Sequence, residues 1–221
     1  MIHVMYFITR KPTVSDAEFH RYWREVHGPI AKNIKQLRHY IQSHRIPFEG
    51  ANSLYDGAAE VWLENEAAMD ALRKSPEYLD GALADEPNFI DMTRVEWMVT
   101  QDHVILEGSQ NPSMVKTIFQ LKRKPGMSLA DFRKYWIEVH GPIVCKLPGL
   151  RRYVQCHLVD AAYNYAEPKW DGVAQLWVDD TTALQQMLAS REFTAGSWPD
   201  GEKFLDLAQA RNFVAQEHRV I

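Results

Sequence analysis

The sequence lacks the features that mark secreted, membrane-bound or disulfide-stabilised chains. Its 221 residues include only two cysteines, Cys145 and Cys156, and these form no CxxC pair. No apolar run approaches the roughly 18 residues that span a membrane. The first residues, MIHVMYFITRKP, have neither the basic start nor the cleavage site of a signal peptide. We therefore expect a reduced, cytoplasmic protein with no membrane partner.

The sequence also lacks a large excess of one charge, and it lacks the common cofactor-binding motifs. The net charge of −4 provides no basic surface for nucleic acid. The sequence contains no HExxH motif and no glycine-rich phosphate loop. From these absences we expect no nucleic-acid partner, no metal and no cofactor.

What the chain does contain is a long internal repeat. YWREVHGPI at 22–30 returns as YWIEVHGPI at 135–143, and residues 2–46 match 115–159 at 19 of 45 positions. After a longer loop in the second half, Asp56-Gly57 aligns with Asp171-Gly172. Such self-similarity indicates two copies of one domain. We predict domains at 1–105 and 114–221, joined by a polar linker at 106–113.

Within each copy, the periodicity predicts the order β-α-β-β-α-β. Ser15 and Ser128 are predicted to begin a helix, with an acidic residue three positions later, and Gly28-Pro29 to end the first one. This order is typical of a ferredoxin-like unit, whose helices cover only one face of the sheet. The other face needs a cover.

These elements predict an α+β fold in which two tandem ferredoxin-like units form an intramolecular dimeric α/β barrel, with a ligand cavity between the sheets. The chain would carry its own dimer partner, and the sequence leaves open whether it forms a further homo-oligomer.

The repeated motif F-x-x-Y-W-x-x-x-H-G-P, followed by a strand that begins L-R-x-Y, resembles the EthD family of dimeric α/β-barrel proteins. The motif occupies 19–29 and 132–142, so the resemblance covers nearly the whole chain as two tandem EthD-like domains. Wider relatives include muconolactone isomerases, polyketide cyclases, cofactor-free quinone-forming monooxygenases and haem-degrading enzymes. The resemblance implies a small-molecule substrate and leaves the reaction open.

Strand alternation selects the side chains that would enter the barrel cavity. The predicted set from both halves is Arg38, Tyr40, Gln42, His44, Glu60, Trp62, Arg151, Tyr153, Gln155, His157, Gln175 and Trp177. Tyr55 and Trp170, in the variable loops 47–56 and 160–171, are expected near the cavity mouth. Such a cavity would suit a flat, mostly apolar, oxygenated ligand.

The motif histidines, His27 and His140, are the first candidates for chemistry. The resemblance implies that they lie in the cavity, where an imidazole can relay a proton near neutral pH. The alternative is a structural role, because a histidine in the last turn of a helix interacts favourably with its carbonyl end.

Other polar residues are candidates for supporting roles. Tyr40 and Tyr153 are expected to stabilise an oxyanion, and Glu60, which becomes Gln175 in the second half, to act as a base. Arg38 and Arg151 would orient an acidic group.

Structural alternatives stay open for these residues. The tyrosines would pack their rings, the arginines or Glu60 would form ion pairs, and His44 and His157 would lie at the surface. Trp23 and Trp136, with Phe19 and Phe132, are predicted to form core, and the stretches LADEPN and WPDGEK to be solvated turns.

Our working hypothesis is a cofactor-independent acid–base enzyme of the isomerase, lyase or cyclase type, acting on a small cyclic or aromatic oxygenated metabolite. One alternative is a cofactor-free monooxygenase of phenols. Another is a non-catalytic binding or accessory protein.

Overall fold

The structure is a computed structural model that describes residues 1–108 and 111–221. Residues 109 and 110 of the predicted linker therefore lie outside the described residues. The chain divides into unit 1, which is Met1–Arg45, Leu54–Thr100 and Glu217–Ile221, and unit 2, which is Ile46–Ser53 and Gln101–Gln216. The predicted domain limits stay predictions.

The first half of the chain has the predicted β-α-β-β-α-β order, with π-helical turns inside its helices. Its elements are β1 (Ile2–Ile8), α1 (Asp16–Tyr22), a π turn (Trp23–His27), α2 (Gly28–Ala31), β2 (Leu37–Ile46), β3 (Gly57–Leu63), α3 (Glu66–Leu72), a π turn (Glu77–Ala82), α4 (Leu83–Asp85), short 3-10 turns (Glu86–Asn88 and Met92–Arg94) and β4 (Glu96–Leu106).

The second half repeats this order. Its elements are β5 (Val115–Leu121), α5 (Leu129–Tyr135), a π turn (Trp136–His140), α6 (Gly141–Val144), β6 (Arg152–Leu158), a 3-10 turn (Asp160–Asn164), β7 (Gly172–Val178), α7 (Thr181–Ala189), a π turn (Glu192–Ser197), α8 (Trp198–Gly201) and β8 (Arg211–Arg219).

The eight strands close into a barrel in the order β1-β3-β2-β8-β5-β7-β6-β4. Within each unit the central pairings are antiparallel, β1 with β3 and β3 with β2 in unit 1, and β5 with β7 and β7 with β6 in unit 2. The predicted α+β barrel class is confirmed. None of the described helices is long and apolar enough to cross a membrane.

The first helix of each half begins where the sequence predicts. The Ser15 side chain accepts a hydrogen bond from the Glu18 backbone N–H, and Ser128 accepts one from Asp131. The prediction that this helix ends at Gly28-Pro29 is wrong. Gly28 keeps helical backbone angles and begins the next helical segment, and Pro29, which lacks an N–H, lies in its first turn, where that donor is not needed.

Repeated residues outside the motif hold the sheet and helix together. The Asp56 carboxylate accepts hydrogen bonds from the backbone and the guanidinium of Arg10, and Asp171 does the same for Arg123. Gly57 allows the Trp23 ring to lie directly on the strand, because a Cβ there would come 2.6 Å from that ring. The duplication of Asp-Gly thus has a packing reason.

The predicted aromatic core is confirmed. Phe19 and Trp23 are buried in a cluster with Ile8, Phe89 and Ile90 in unit 1. Phe132 and Trp136 are buried in the larger apolar cluster of unit 2.

Candidate active site

Strand register decides which side of each sheet a candidate residue faces. In unit 1, Tyr40 pairs with Val61 and Ile41 pairs with Glu60. Directly opposite residues of an antiparallel pair share a face, so Tyr40 and Glu60 lie on opposite faces. The Trp23 indole N–H donates to the Tyr40 hydroxyl at 3.0 Å, which puts Tyr40 on the helix side.

The prediction that Tyr40, Gln42 and His44 share a face with Glu60 and Trp62 is therefore wrong. In unit 2 the corresponding prediction fails for the same reason. Tyr153 pairs with Leu176, Val154 pairs with Gln175, and the Trp136 indole donates to Tyr153 at 2.9 Å.

Unit 1 contains a cavity between its sheet and its helices, with about 440 Å³ of empty space including the open mouth. Its lining is formed by Tyr6, His27, Ala31, Ile34, Leu37, Tyr40, Ala59, Val61, Leu72, Tyr78, Ala82 and Glu86. The motif histidine and its predicted tyrosine partner, His27 and Tyr40, therefore line one cavity.

Unit 2 contains a larger cavity at the corresponding place, with about 790 Å³ of empty space including the mouth. His140 and Tyr153 line it, and the rest of the wall is mainly apolar, including Phe119 and Phe193. Asn52, from the loop 47–56, also contributes. A ligand space between the two sheets stays a prediction.

Each motif histidine is held by a carboxylate. His27 Nδ1 lies 2.9 Å from Asp85 Oδ2, and the other oxygen of Asp85 accepts from the Tyr22 hydroxyl at 2.7 Å and from Asn88 at 3.0 Å. Because the carboxylate is already bonded by two donors, it is fixed where it meets the imidazole. This fixes Nδ1 as the protonated nitrogen and leaves Nε2 as the acceptor.

The second unit repeats this arrangement with one change. His140 Nδ1 lies 2.8 Å from Asp200 Oδ2, and Asp200 Oδ1 accepts from Tyr135 at 2.8 Å. Lys203, 3.1 Å from the same oxygen, stands where the first unit has Asn88.

Burial and hydrogen bonding set the ionisation of both pairs. Burial lowers the pKa of His27 and of His140, and outweighs the opposing effect of the neighbouring carboxylates. Burial alone would raise the pKa of Asp85 and Asp200, but the hydrogen bonds that they accept outweigh it and lower both pKa values. Each pair is therefore a neutral imidazole on an ionised carboxylate near neutral pH, which is the state a general base requires.

A hydrogen-bond network fixes the tyrosine of the first cavity. The Gln42 amide donates to the Trp23 carbonyl at 2.8 Å and to the Tyr40 hydroxyl at 3.3 Å, while its oxygen lies 3.0 Å from His44 Nε2. Burial raises the pKa of Tyr40 to about 12 and lowers that of His44 to about 2. Tyr40 thus stays protonated and His44 neutral.

In unit 2, Gln155 bridges Tyr153 and His157 in the same way, at 3.0 and 3.1 Å. The His157 ring stacks on Trp136, and burial lowers its pKa to about 3. His44 and His157 are therefore buried neutral groups, and the alternative of a surface role for them is wrong.

The two arginines lie away from both cavities. Arg38 pairs with Glu64 at 2.7 Å and Arg151 with Asp179 at 2.5 Å, and all four side chains are about half exposed. The expectation that they enter a cavity is wrong, because each forms an ion pair at the end of its strand.

The remaining strand candidates, Glu60, Trp62, Gln175 and Trp177, line neither cavity. Glu60 accepts from Ser43 on the face opposite the helices, and the Trp62 ring stacks on His3 at 3.9 Å. Trp177 has the Lys116 ammonium 5.2 Å from its ring.

The two loop aromatics are buried. Tyr55 packs on Phe7, and Trp170 has the Lys169 ammonium over its ring. Neither is among the residues that line the two cavities.

The two carboxylates were not among the predicted site residues. The prediction that LADEPN and WPDGEK are solvated turns is wrong, because Asp85 and Asp200 are buried. A signal was present: the offset of 115 that aligns Asp56 with Asp171 also aligns Asp85 with Asp200.

Known proteins resemble this chain in both sequence and fold. A model of the EthD domain matches residues 11–93 and again 124–208. A candidate monooxygenase from Fusobacterium nucleatum subsp. nucleatum ATCC 25586 is 9% identical, with a TM-score of 0.64 over 98% of this chain and 91% of that chain. Another from Lactobacillus acidophilus NCFM is 12% identical, with a TM-score of 0.58 over 100% and 94%.

An EthD family protein from Bacillus halodurans C-125 is 28% identical over 48% of this chain and 99% of its own, with a TM-score of 0.40. No curated protein sequence matches this chain. The fold and its two histidine–carboxylate pairs define an α+β barrel protein with a duplicated cavity. The EthD domain model matches the chain twice, in tandem, and together the two matches cover well over half of the chain. The chain therefore belongs to the EthD family.

Proposed function

We propose that this protein is a cofactor-independent enzyme that transfers protons within a small cyclic or aromatic oxygenated metabolite. The observation that carries the proposal is the His–Asp pair that lines a largely apolar cavity in each unit. A neutral imidazole with Nε2 unprotonated can remove a proton from a substrate, and the carboxylate stabilises the imidazolium that forms.

Tyr40 and Tyr153 supply the second part of the proposed chemistry. Each hydroxyl accepts hydrogen bonds from a tryptophan and a glutamine, so its own proton is left to donate. A donor held in place by the protein stabilises an enolate or phenolate oxygen as charge develops on it. Isomerisation, elimination and ring closure can each use this pairing of base and donor. Arg38, Arg151 and Glu60 lie off the cavities and have no role in the proposed mechanism.

A general probe of base catalysis tests the proposal without knowledge of the metabolite. 5-Nitrobenzisoxazole is flat and aromatic. When a base removes the proton from the ring carbon next to nitrogen, the ring opens to a coloured phenolate. We expect the protein to accelerate this elimination and the His27→Ala/His140→Ala variant to lose about 10²-fold or more of the rate. A double variant that folds, by circular dichroism, and keeps the wild-type rate would dismiss the histidines as bases. A binding protein is favoured if the wild-type protein does not accelerate the elimination and an unchanged metabolite co-purifies with it.

The cavity of unit 1 supports a second candidate, a cofactor-free monooxygenase of phenols. Its wall includes Tyr6 and Tyr78, which suit a phenol, and His27 would form the phenolate that reacts with dioxygen. Two fold neighbours that are described as candidate monooxygenases support this alternative. An oxygen electrode tests it, because turnover without dioxygen would eliminate it.

Location belongs to the same proposal. Cys145 and Cys156 are not joined in a disulfide, which supports a reducing compartment and the cytoplasm.

A further inference from the structure

The two cavities share their histidine and tyrosine but differ in their polar walls. Aligning the halves pairs Tyr6 with Phe119, Tyr78 with Phe193 and Glu86 with Gly201. All six of these residues line the cavity of their own unit. Two of the three differences remove only a hydroxyl, and the third removes a whole carboxylate side chain. Ring shape is thus kept while hydrogen-bonding capacity is lost.

The three polar groups of the first cavity have no protein partner. Among the described residues, the hydroxyls of Tyr6 and Tyr78 and the carboxyl of Glu86 form no side-chain hydrogen bond or ion pair. All three residues are only partly buried, so their polar groups reach the open cavity and can bond to solvent there. A polar ligand that displaces this solvent can therefore bond to them without breaking a contact within the protein.

The surroundings of Glu86 allow both the protonated and the ionised form of its carboxyl near neutral pH. Burial, and then the negative charge of Asp85, raise the pKa of Glu86 to about 7. Burial also raises the pKa of Tyr6 and of Tyr78, so both phenols stay protonated. The group therefore offers two hydroxyl donors and one carboxyl that either accepts or donates.

We propose that Tyr6, Tyr78 and Glu86 form a polar subsite that binds a hydroxyl group of a small aromatic ligand, and that only the first cavity has this subsite. The ligand hydroxyl donates to the Glu86 carboxylate and its oxygen accepts from a tyrosine. The aromatic ring lies against Ala59, Val61 and Leu72. The second cavity, with Phe119 and Phe193, takes a larger apolar ring system.

Phenol and toluene are matched probes for this proposal, because they differ by a hydroxyl in place of a methyl group. Titration of the isotope-labelled full chain, followed by amide chemical shifts, locates each probe and measures its affinity. We expect phenol to shift amides around Tyr78 and Glu86, and toluene to shift those around Phe193 and Gly201. The Tyr6→Phe/Tyr78→Phe/Glu86→Gln variant should bind phenol about tenfold more weakly at the first cavity and toluene at the second cavity as before.

The second half supplies a reciprocal test. Phe119→Tyr/Phe193→Tyr should add phenol binding at the second cavity and leave the first unchanged. If the triple variant fails to fold, Glu86→Gln and Tyr78→Phe are measured separately, with Glu202→Gln, an exposed position, as the control for loss of charge.

Equal phenol affinity at the first cavity in the wild type and in Tyr6→Phe/Tyr78→Phe/Glu86→Gln would overturn the subsite, as would phenol and toluene sharing one cavity with equal affinity. The inference rests on the proposed function for the claim that this ligand is the substrate. Proton abstraction by the histidines is measured separately, with 5-nitrobenzisoxazole, so the two proposals can fail independently.

Discussion

At the scale of the residue, the account depends on two short contacts between an imidazole and a carboxylate. Each carboxylate is buried and also accepts a tyrosine hydroxyl, which holds it against Nδ1 and fixes the tautomer of the histidine. A histidine serving only as a helix end would need no such acceptor. Both halves have the aspartate and the tyrosine that bonds to it. We therefore assign the histidines a chemical role.

Replacing the carboxylates tests this arrangement. In Asp85→Asn/Asp200→Asn the amide can donate to Nδ1, which favours the tautomer with a protonated Nε2, a poor base. We expect a loss of about 10²-fold in the elimination rate, with little change in fold. Asp80→Asn, at an exposed position, is the matched control. An unchanged rate would mean that the carboxylates only pack.

The lowered pKa values of His27 and His140 predict the direction of the pH dependence. A base works in its unprotonated form, so the rate should rise with pH through the pKa of the histidine and then stay level. Because burial lowers both pKa values, the midpoint should lie below the usual histidine value of about 6.5. A pH–rate profile checks this, and a midpoint above that value would contradict the assigned environment.

At the scale of the element, local signals predicted a good deal. Serine caps placed the starts of the first helices at Ser15 and Ser128, and periodicity predicted the order of strands and helices. Alternation also showed that Tyr40 and Gln42 share a face, but not which face it is. That choice depends on the register between strands, with Tyr40 opposite Val61. Register is set by non-local pairing, which a single strand cannot reveal.

The π turns are a second feature that periodicity did not predict. A π turn widens the helix by one residue, and such turns are frequent at functional sites. Here the turns at Trp23–His27 and Trp136–His140 end on the cavity histidine. The Trp23 carbonyl accepts both from the Gly28 N–H and from Gln42, so tertiary contact supports the irregular turn.

Gly57 tests how closely this helix lies on the sheet. A Cβ at position 57 would come 2.6 Å from the Trp23 ring and from the Ser43 carbonyl oxygen, so Gly57→Ala should lower the free energy of unfolding by about 1–3 kcal/mol. Gly81→Ala is the control, since its nearest contact would be an ordinary 3.5 Å. Denaturant titration measures both. Equal stability would show that the ring moves aside without cost.

At the scale of the whole molecule, the repeat in the sequence predicted the duplication, the barrel and the family. The bare sheet face predicts a cavity between the sheets, and this stays a prediction. The repeat did not predict that each unit has a cavity between its own sheet and helices. Identity between the two halves pointed to His27 and His140. A difference such as Glu86 against Gly201 gains meaning only from the structure, where each of these two residues lines the cavity of its own unit.

The state of the two cavity histidines is the most direct test of the account. Nitrogen-15 NMR of the imidazoles near neutral pH reports charge and tautomer without any substrate. We predict that His27 and His140 are both neutral, with a proton on Nδ1 and none on Nε2. A doubly protonated ring, or a proton on Nε2 in both, would contradict the role of a base held ready by Asp85 and Asp200.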